Sequence, residues 1–181
     1  MTCLTVAIGS SYEEGAEKLK RQLPNLVIVT DSDIRPQHRH EDPIIQSRLV
    51  KTGFAQYLPE ALEPVVILDS DLETNGHVID LPQTESVAGV SWSNVSYPKP
   101  FSEVGLHHPS LNSGMLIFAS QHIASAVSKQ WHQLYVRNLP IPRDEPSLAL
   151  ALHRLGIVPE LLERKYNSNF RSKHAIFLHN V

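Results

Sequence analysis

Apolar residues in this chain gather into short unbroken runs, separated by stretches with helical spacing. Residues 4–8 (LTVAI) form one run, closed by Gly9, Ser10 and Ser11. Residues 26–29 (LVIV) form a second, ending at Thr30-Asp31-Ser32-Asp33, and residues 64–68 (PVVIL) a third. Between the first two, Tyr12, Ala16, Leu19 and Leu23 recur at the spacing that places side chains on one helix face. Residues 44–58 follow a polar loop at 34–43 and predict a second helix, with Ile45, Leu49, Tyr57 and Leu58 inward. Wholly apolar strands alternating with amphipathic helices predict a mainly parallel sheet covered on both faces.

The second half is more mixed. A strand is predicted at 87–92, a long Ser/Pro/His loop at 93–112 and a strong strand at 114–119. Residues 121–138 predict a helix with Ile123, Val127, Trp131, Leu134 and Tyr135 inward. Residues 144–155 predict another, capped by Asp144 or Arg143, with Pro146 in its first turn. Short strands are predicted at 157–162 and 175–178. With no repeat and no shift in composition, residues 1–181 are expected to form a single α/β domain.

Composition narrows the function. The 181 residues are 41% hydrophobic and 19% charged, as in a folded globular protein. A net charge of -3 argues against a generic nucleic-acid binder. No apolar run approaches the roughly 20 residues that span a bilayer. The start of the chain reads as a strand and not as a signal peptide. The one cysteine, Cys3, excludes a disulfide framework or a Cys-based zinc cluster, and a cytoplasmic location is expected. The eight glycines make neither GxGxxG nor GxxxxGK[ST], so a nucleotide bound here needs metal and basic side chains for its phosphates.

The strongest chemical signal is Asp69-Ser70-Asp71, directly after the apolar run VVIL. Ligands of open α/β sheets bind at the carboxyl ends of strands. Two carboxylates at that spacing repel unless a cation or shared proton compensates, and a hard divalent metal such as Mn²⁺ or Mg²⁺ suits them. The alternative is a polar strand exit in which one Asp caps a turn. Arg48 and Lys51, three residues apart on the preceding helix, face either a phosphate or water. The last eighteen residues hold Arg164, Lys165, Arg171 and Lys173 and no acidic residue. That end is either a phosphate-facing basic segment or a solvated tail. His38-Arg39-His40 and His107-His108 fall in predicted loops. Without paired cysteines or HExxH spacing they read as scattered surface histidines.

Taken in order, LTVAIGSSY, RLVKTGFAQYL, PVVILDSDLE, LNSGMLIF, DEPSLALAL, KYNSN and AIFLHN resemble a GT-A nucleotide-sugar glycosyltransferase. The similarity is greatest to the family-eight, glycogenin-like group and spans residues 4–180. It implies a GT-A-like three-layer α/β sandwich that transfers a sugar from a nucleotide diphosphate sugar, a UDP-sugar, to an acceptor. By the same resemblance Asp69, Asp71 and His179 hold Mn²⁺ (or Mg²⁺), and Lys51 contacts the donor beside Arg48 and Ser70. Ala7, Ile8, Gly9 and Tyr12 take the nucleoside. Asn112, Ser113 and Gly114 line the sugar and acceptor side. Asp144 is the candidate base if transfer inverts, and the acceptor is a glycan, a lipid-linked glycan or a protein.

Two departures stand out. The family often has Asp-Gln where this chain has Asp144-Glu145. Its histidine is usually followed by Gly-x-Lys-Pro-Trp, which is missing here. That lysine then comes from another segment, or from chain beyond these residues, or the protein is a minimal relative of low activity. Three other readings compete. One is a noncatalytic nucleotide-sugar-binding module of the same fold. Another is a haloacid-dehalogenase-type phosphohydrolase with Asp69 as nucleophile. That one normally carries its DxD on the first strand and a second acidic pair later. Nucleotidyltransferases usually carry a Gly-rich basic loop that GSSYEEG matches poorly.

Overall fold

The computed structural model describes residues 1–58, 60, 63–74, 81–91, 110–139 and 143–167, and the backbone of 177–179. Its centre is a six-stranded sheet in the order β2-β1-β3-β6-β5-β7. These strands are β1 (Thr2–Val6), β2 (Leu26–Val29), β3 (Val65–Asp69), β5 (Val87–Ser91), β6 (Leu111–Phe118) and β7 (Glu160–Leu162). β1 pairs in parallel with β2 and β3, and β5 with β7. Only β6 runs against its neighbours, β3 and β5. The sheet is therefore mostly parallel, as its apolar strands predicted, with one reversed strand that pattern does not encode.

The continuous apolar runs are explained by cover on both faces. Along β3, Val65 and Ile67 pack with Val50, Phe54 and Trp131, from α2 (Pro43–Thr52), the turn after it and α3 (Gln121–Arg137). Val66 and Leu68 pack on the other face with Leu19 and Leu23, at α1 (Ser10–Lys20) and just beyond. Alternate side chains thus enter opposite layers, and no position of the strand is free to be polar until Asp69. Burial of each such Val, Leu or Ile contributes about 1.5–3 kcal/mol.

Several local expectations change. Tyr12 is 50% exposed and does not join Ala16, Leu19 and Leu23 inside. The helix predicted over 44–58 stops at Thr52, and the chain tightens into a 3-10 turn over Phe54–Tyr57. Gly53 sits at that break, where an added Cβ would lie 2.7 Å from the His38 ring. The strand predicted from residue 114 begins at Leu111, so Asn112-Ser113-Gly114 belongs to β6. The strand predicted at 157–162 shortens to β7. The one predicted at 175–178 appears as β8 (Phe177–His179), paired antiparallel with β4 (Leu72–Thr74) in a separate ladder.

His38 is not a surface histidine. It is fully buried, with Nδ1 2.7 Å from the Tyr57 hydroxyl and its ring 4.7 Å from that of His132. Burial, then His132 and Arg35, push its pKa down to about 4, so it is a neutral packing group. His107, His108 and Trp92 lie outside the described residues.

Candidate functional site

The carboxyl ends of β1 and β3 meet at one edge of the sheet, in the register Val6 opposite Asp69. There the polypeptide leaves β1 through Gly9, whose φ of 93° and ψ of 150° lie in a region open essentially to glycine alone. The Gly9 N–H donates to Asp31 Oδ2 at 3.0 Å, which ties this loop to the end of β2. On the far side, β3 leads directly into the Asp69-Ser70-Asp71 turn and then β4. Gly15 of α1 packs against that turn so closely that any Cβ would collide with the Ser70 carbonyl oxygen.

Between these elements lies a cleft of about 460 Å³. Ile8 and Tyr12 line one part, Arg48 and Lys51 of α2 another, and Asp69, Ser70, Asp71 and Ser113 the floor. Asp144 and Glu145, at the start of α4 (Glu145–Arg154), close it. Most of the residues singled out from sequence therefore converge. Ala7 is fully buried, its N–H bonded to the Val29 carbonyl, and Asn112 is buried beside the cleft without lining it. Pro43, Ile44 and Ser47 also line the cleft and carried no sequence signal beyond their place on α2.

Lys51 is the hub. Its ammonium donates to Asp69 Oδ1 at 2.5 Å and to Ser113 Oγ at 3.0 Å, with Asp144 Oδ2 at 3.8 Å. Burial alone would pull its pKa down. Asp69 and Asp144 outweigh that and hold it above the usual lysine range. Asp144 is only 4% exposed, and its Oδ2 has no hydrogen-bond partner. Arg48 Nε lies 3.8 Å from its other oxygen. Asp144 occupies the N-cap position of α4, but its side chain makes no cap hydrogen bond. Its backbone carbonyl is instead gripped by Trp131 Nε1 at 2.9 Å and the Ser147 hydroxyl at 2.7 Å. The carboxylate is thereby turned toward the cleft and not toward its own helix. Sequence reading named Trp131 only as a core residue and missed Ser147.

The charge count matters. Among the described residues that line the cleft, Asp69, Asp71, Asp144 and Glu145 bring four carboxyl groups, and Arg48 and Lys51 two cations. Burial, then the neighbouring Asp144, push the Glu145 pKa up, as expected where negative charge is crowded. Carboxylate oxygens at this spacing, with Asp144 Oδ2 unsatisfied, are donors of the kind a hard divalent cation takes. Among the described residues, no three His, Cys, Asp or Glu groups form a preassembled metal cluster. The His179 backbone lies opposite Leu72, next in sequence to Asp71; its side chain lies outside the described residues. So do Arg171 and Lys173. Arg164 is exposed, and Lys165 bonds Glu163 at 2.8 Å on the surface, so neither joins the cleft.

No family model and no curated protein sequence matches the chain. Solved structures do match. Galactosyltransferase LgtC, in complex with donor and acceptor sugar analogs, aligns with a TM-score of 0.64 at 10% identity, over 99% of this chain and 86% of that one. A glycosyltransferase involved in glycosylation of the major capsid of PBCV-1 aligns with 0.60 at 14%, over 98% and 94%. Mouse xyloside xylosyltransferase 1 aligns with 0.53 at 11%, over 99% and 97%. At such identities the likeness establishes the fold, which is the GT-A fold of glycosyltransferases. Among the described residues no helix is long and apolar enough to cross a membrane.

Proposed function

We propose that this chain is a metal-dependent glycosyltransferase of the family-eight kind, moving a sugar from a UDP-sugar to an acceptor. The observation that carries the reading is the convergence of Asp69, Asp71, Lys51 and Asp144 in one cleft at the carboxyl ends of β1 and β3. Asp69 and Asp71, with His179, would hold Mn²⁺ or Mg²⁺. When bound, the ion supplies Lewis-acid stabilisation of the charge that develops on the departing diphosphate. Lys51 and Arg48 add positive charge to the same side of the site. Ile8 and the exposed Tyr12 ring offer an apolar platform to the nucleoside. Ser113 and Asn112 stand on the sugar side. Asp144 is placed to orient the sugar or, in an inverting reaction, to take the acceptor proton.

The haloacid-dehalogenase reading loses its support, because Asp69 ends the third strand of a GT-A fold and not the first. The decisive test is thermal stability with UDP and Mn²⁺. The wild-type protein is expected to rise in Tm only when both are present. Asp69→Ala/Asp71→Ala should show no rise above its own unliganded Tm, which is itself lowered because Lys51 loses its Asp69 partner. A wild-type protein indifferent to every nucleoside diphosphate plus Mn²⁺ would end the proposal. Stabilisation with neither transfer nor donor hydrolysis would favour the noncatalytic binding module.

A further inference from the structure

The Lys51 ammonium is shared unequally between two acids. An ammonium has three N–H donors and no acceptor. Here one N–H donates to Asp69 Oδ1 at 2.5 Å and another to Ser113 Oγ at 3.0 Å. Asp144 Oδ2 lies 3.8 Å away, near enough for an ion pair and too far for a hydrogen bond. That oxygen is buried and has no hydrogen-bond partner among the described residues. Arg48 approaches the other oxygen of the same carboxylate, with Nε 3.8 Å from Oδ1. The two acids also differ in access: the Asp69 side chain is 29% exposed and that of Asp144 5%.

The ammonium therefore hydrogen-bonds the acid that solvent reaches and leaves the sheltered one short of a donor. Buried polar groups are overwhelmingly paired, and an unpaired one carries a cost that a small shift of Lys51 would remove. Closing on Asp144 Oδ2 from 3.8 Å to the usual N⁺–H···O⁻ distance of about 2.8 Å moves the ammonium by about 1 Å. A flexible four-carbon stem accommodates that without any movement of α2. Asp144 is already held to receive it, since Trp131 and Ser147 grip its backbone carbonyl. Lys51 thus has two partners within reach, and of these Asp69 is the one open to a competing cation.

We propose that Lys51 competes with the divalent cation for Asp69 and passes to Asp144 when the cation binds. In one state the ammonium neutralises Asp69. In the other it gives Asp144 Oδ2 the donor that oxygen lacks. A cation that needs Asp69 binds only the second state, so Lys51 lowers its apparent affinity. The exchange also couples cation binding to the opposite wall of the cleft, where Asp144 and Glu145 begin α4. This role is separate from the donor contact that the family resemblance gives Lys51. The proposal rests on the metal-dependent reading above and deepens it by naming what regulates the cation position.

The probe is Mn²⁺ without nucleotide, titrated into the full chain and followed by the paramagnetic resonance signal of the free ion. Lys51→Met is expected to bind Mn²⁺ about tenfold tighter than wild type, because no charge-assisted hydrogen bond has to be broken first. Lys51→Gln, also uncharged, should shift in the same direction and serves if Lys51→Met does not fold. Asp144→Asn should weaken Mn²⁺ binding in the wild-type background, where the displaced ammonium loses its acceptor, and have no effect in Lys51→Met. Arg48→Met removes the same charge from the same cleft and should tighten Mn²⁺ far less. The proposal is overturned by lysine variants that bind Mn²⁺ no tighter than wild type, or by an Asp144→Asn effect that persists without Lys51, which would make Asp144 a ligand. An equal gain from Arg48→Met also overturns it, since net charge would then suffice. If neither wild type nor the lysine variants bind Mn²⁺ even with UDP present, the metal-dependent reading itself fails, so the two failures are separable.

Discussion

At the scale of single residues, Glu145 is the clearest departure of the site from an arrangement at rest. It follows Asp144 on the wall of the cleft, and burial and that neighbour both disfavour its charge. Its folded pKa is raised above 4.5, so the folded protein holds the proton more tightly than the unfolded chain. Above that folded value the charged form costs stability; below about 4.5 both states are protonated and the cost disappears. Glu145→Gln is therefore expected to raise the urea midpoint at pH 7, with the gain shrinking to nothing as the pH falls below about 4.5. Parallel urea titrations of both proteins from pH 4 to 8 measure it, and a gain independent of pH would show that charge is not its cause. The proposed divalent cation would relieve the same crowding that makes Glu145 costly. The converse holds for Lys51, 11% exposed and paired with two acids. Lys51→Met leaves the half-buried Asp69 without its partner and the buried Asp144 with Arg48 alone, and should lower stability in urea unfolding by about 1–3 kcal/mol.

Among the elements, α1 and the β3–β4 turn are fitted to each other through Gly15. In an ordinary helix interior Gly→Ala gains about 1 kcal/mol. Here the new methyl would meet the Ser70 carbonyl oxygen, and overpacking against backbone costs about 1–3 kcal/mol. Gly15→Ala should therefore lower stability and blunt the Tm rise given by UDP and Mn²⁺, because the turn that carries Asp69 and Asp71 must shift. A variant more stable than wild type would show that the turn yields freely. Nothing in the sequence marks Gly15, since the contact is made with a residue 55 positions later. The same limit explains what else was and was not legible. β2 and β3 could be read as apolar runs, because cover on both faces leaves no polar position within them. The Asp69-Ser70-Asp71 turn could be read because polarity returns abruptly at a strand end. The burial of His38, the exposure of Tyr12 and the clamp of Trp131 and Ser147 on Asp144 all depend on tertiary neighbours. Periodicity carries no record of those.

At the scale of the whole molecule, the fold divides its labour between two sheets. The six-stranded sheet presents Asp69 at the end of a central strand. The two-stranded ladder of β4 and β8 then brings a segment from far along the chain back beside Asp71, with Leu72 opposite His179. The reversed direction of β6 completes the arrangement: its antiparallel pairing sets the Asn112-Ser113-Gly114 end beside the carboxyl end of β3 and not at the opposite edge. The donor site proposed above draws on both sheets, whereas the core draws mainly on the larger one. Two consequences should separate experimentally. In the proposed metal site, His179→Ala removes a ligand carried by β8, a strand of the two-stranded ladder and not of the six-stranded sheet. Its unliganded Tm should stay within about 2 °C of wild type. Its apparent affinity for Mn²⁺ in the presence of UDP should fall about 10–100-fold, the loss typical when a metal site's supporting groups are removed. Mn²⁺ titration followed by UDP-dependent thermal stabilisation reads both quantities in one protein. An unchanged Mn²⁺ requirement would take His179 out of the site and leave Asp69 and Asp71 to hold the ion with groups from the donor itself.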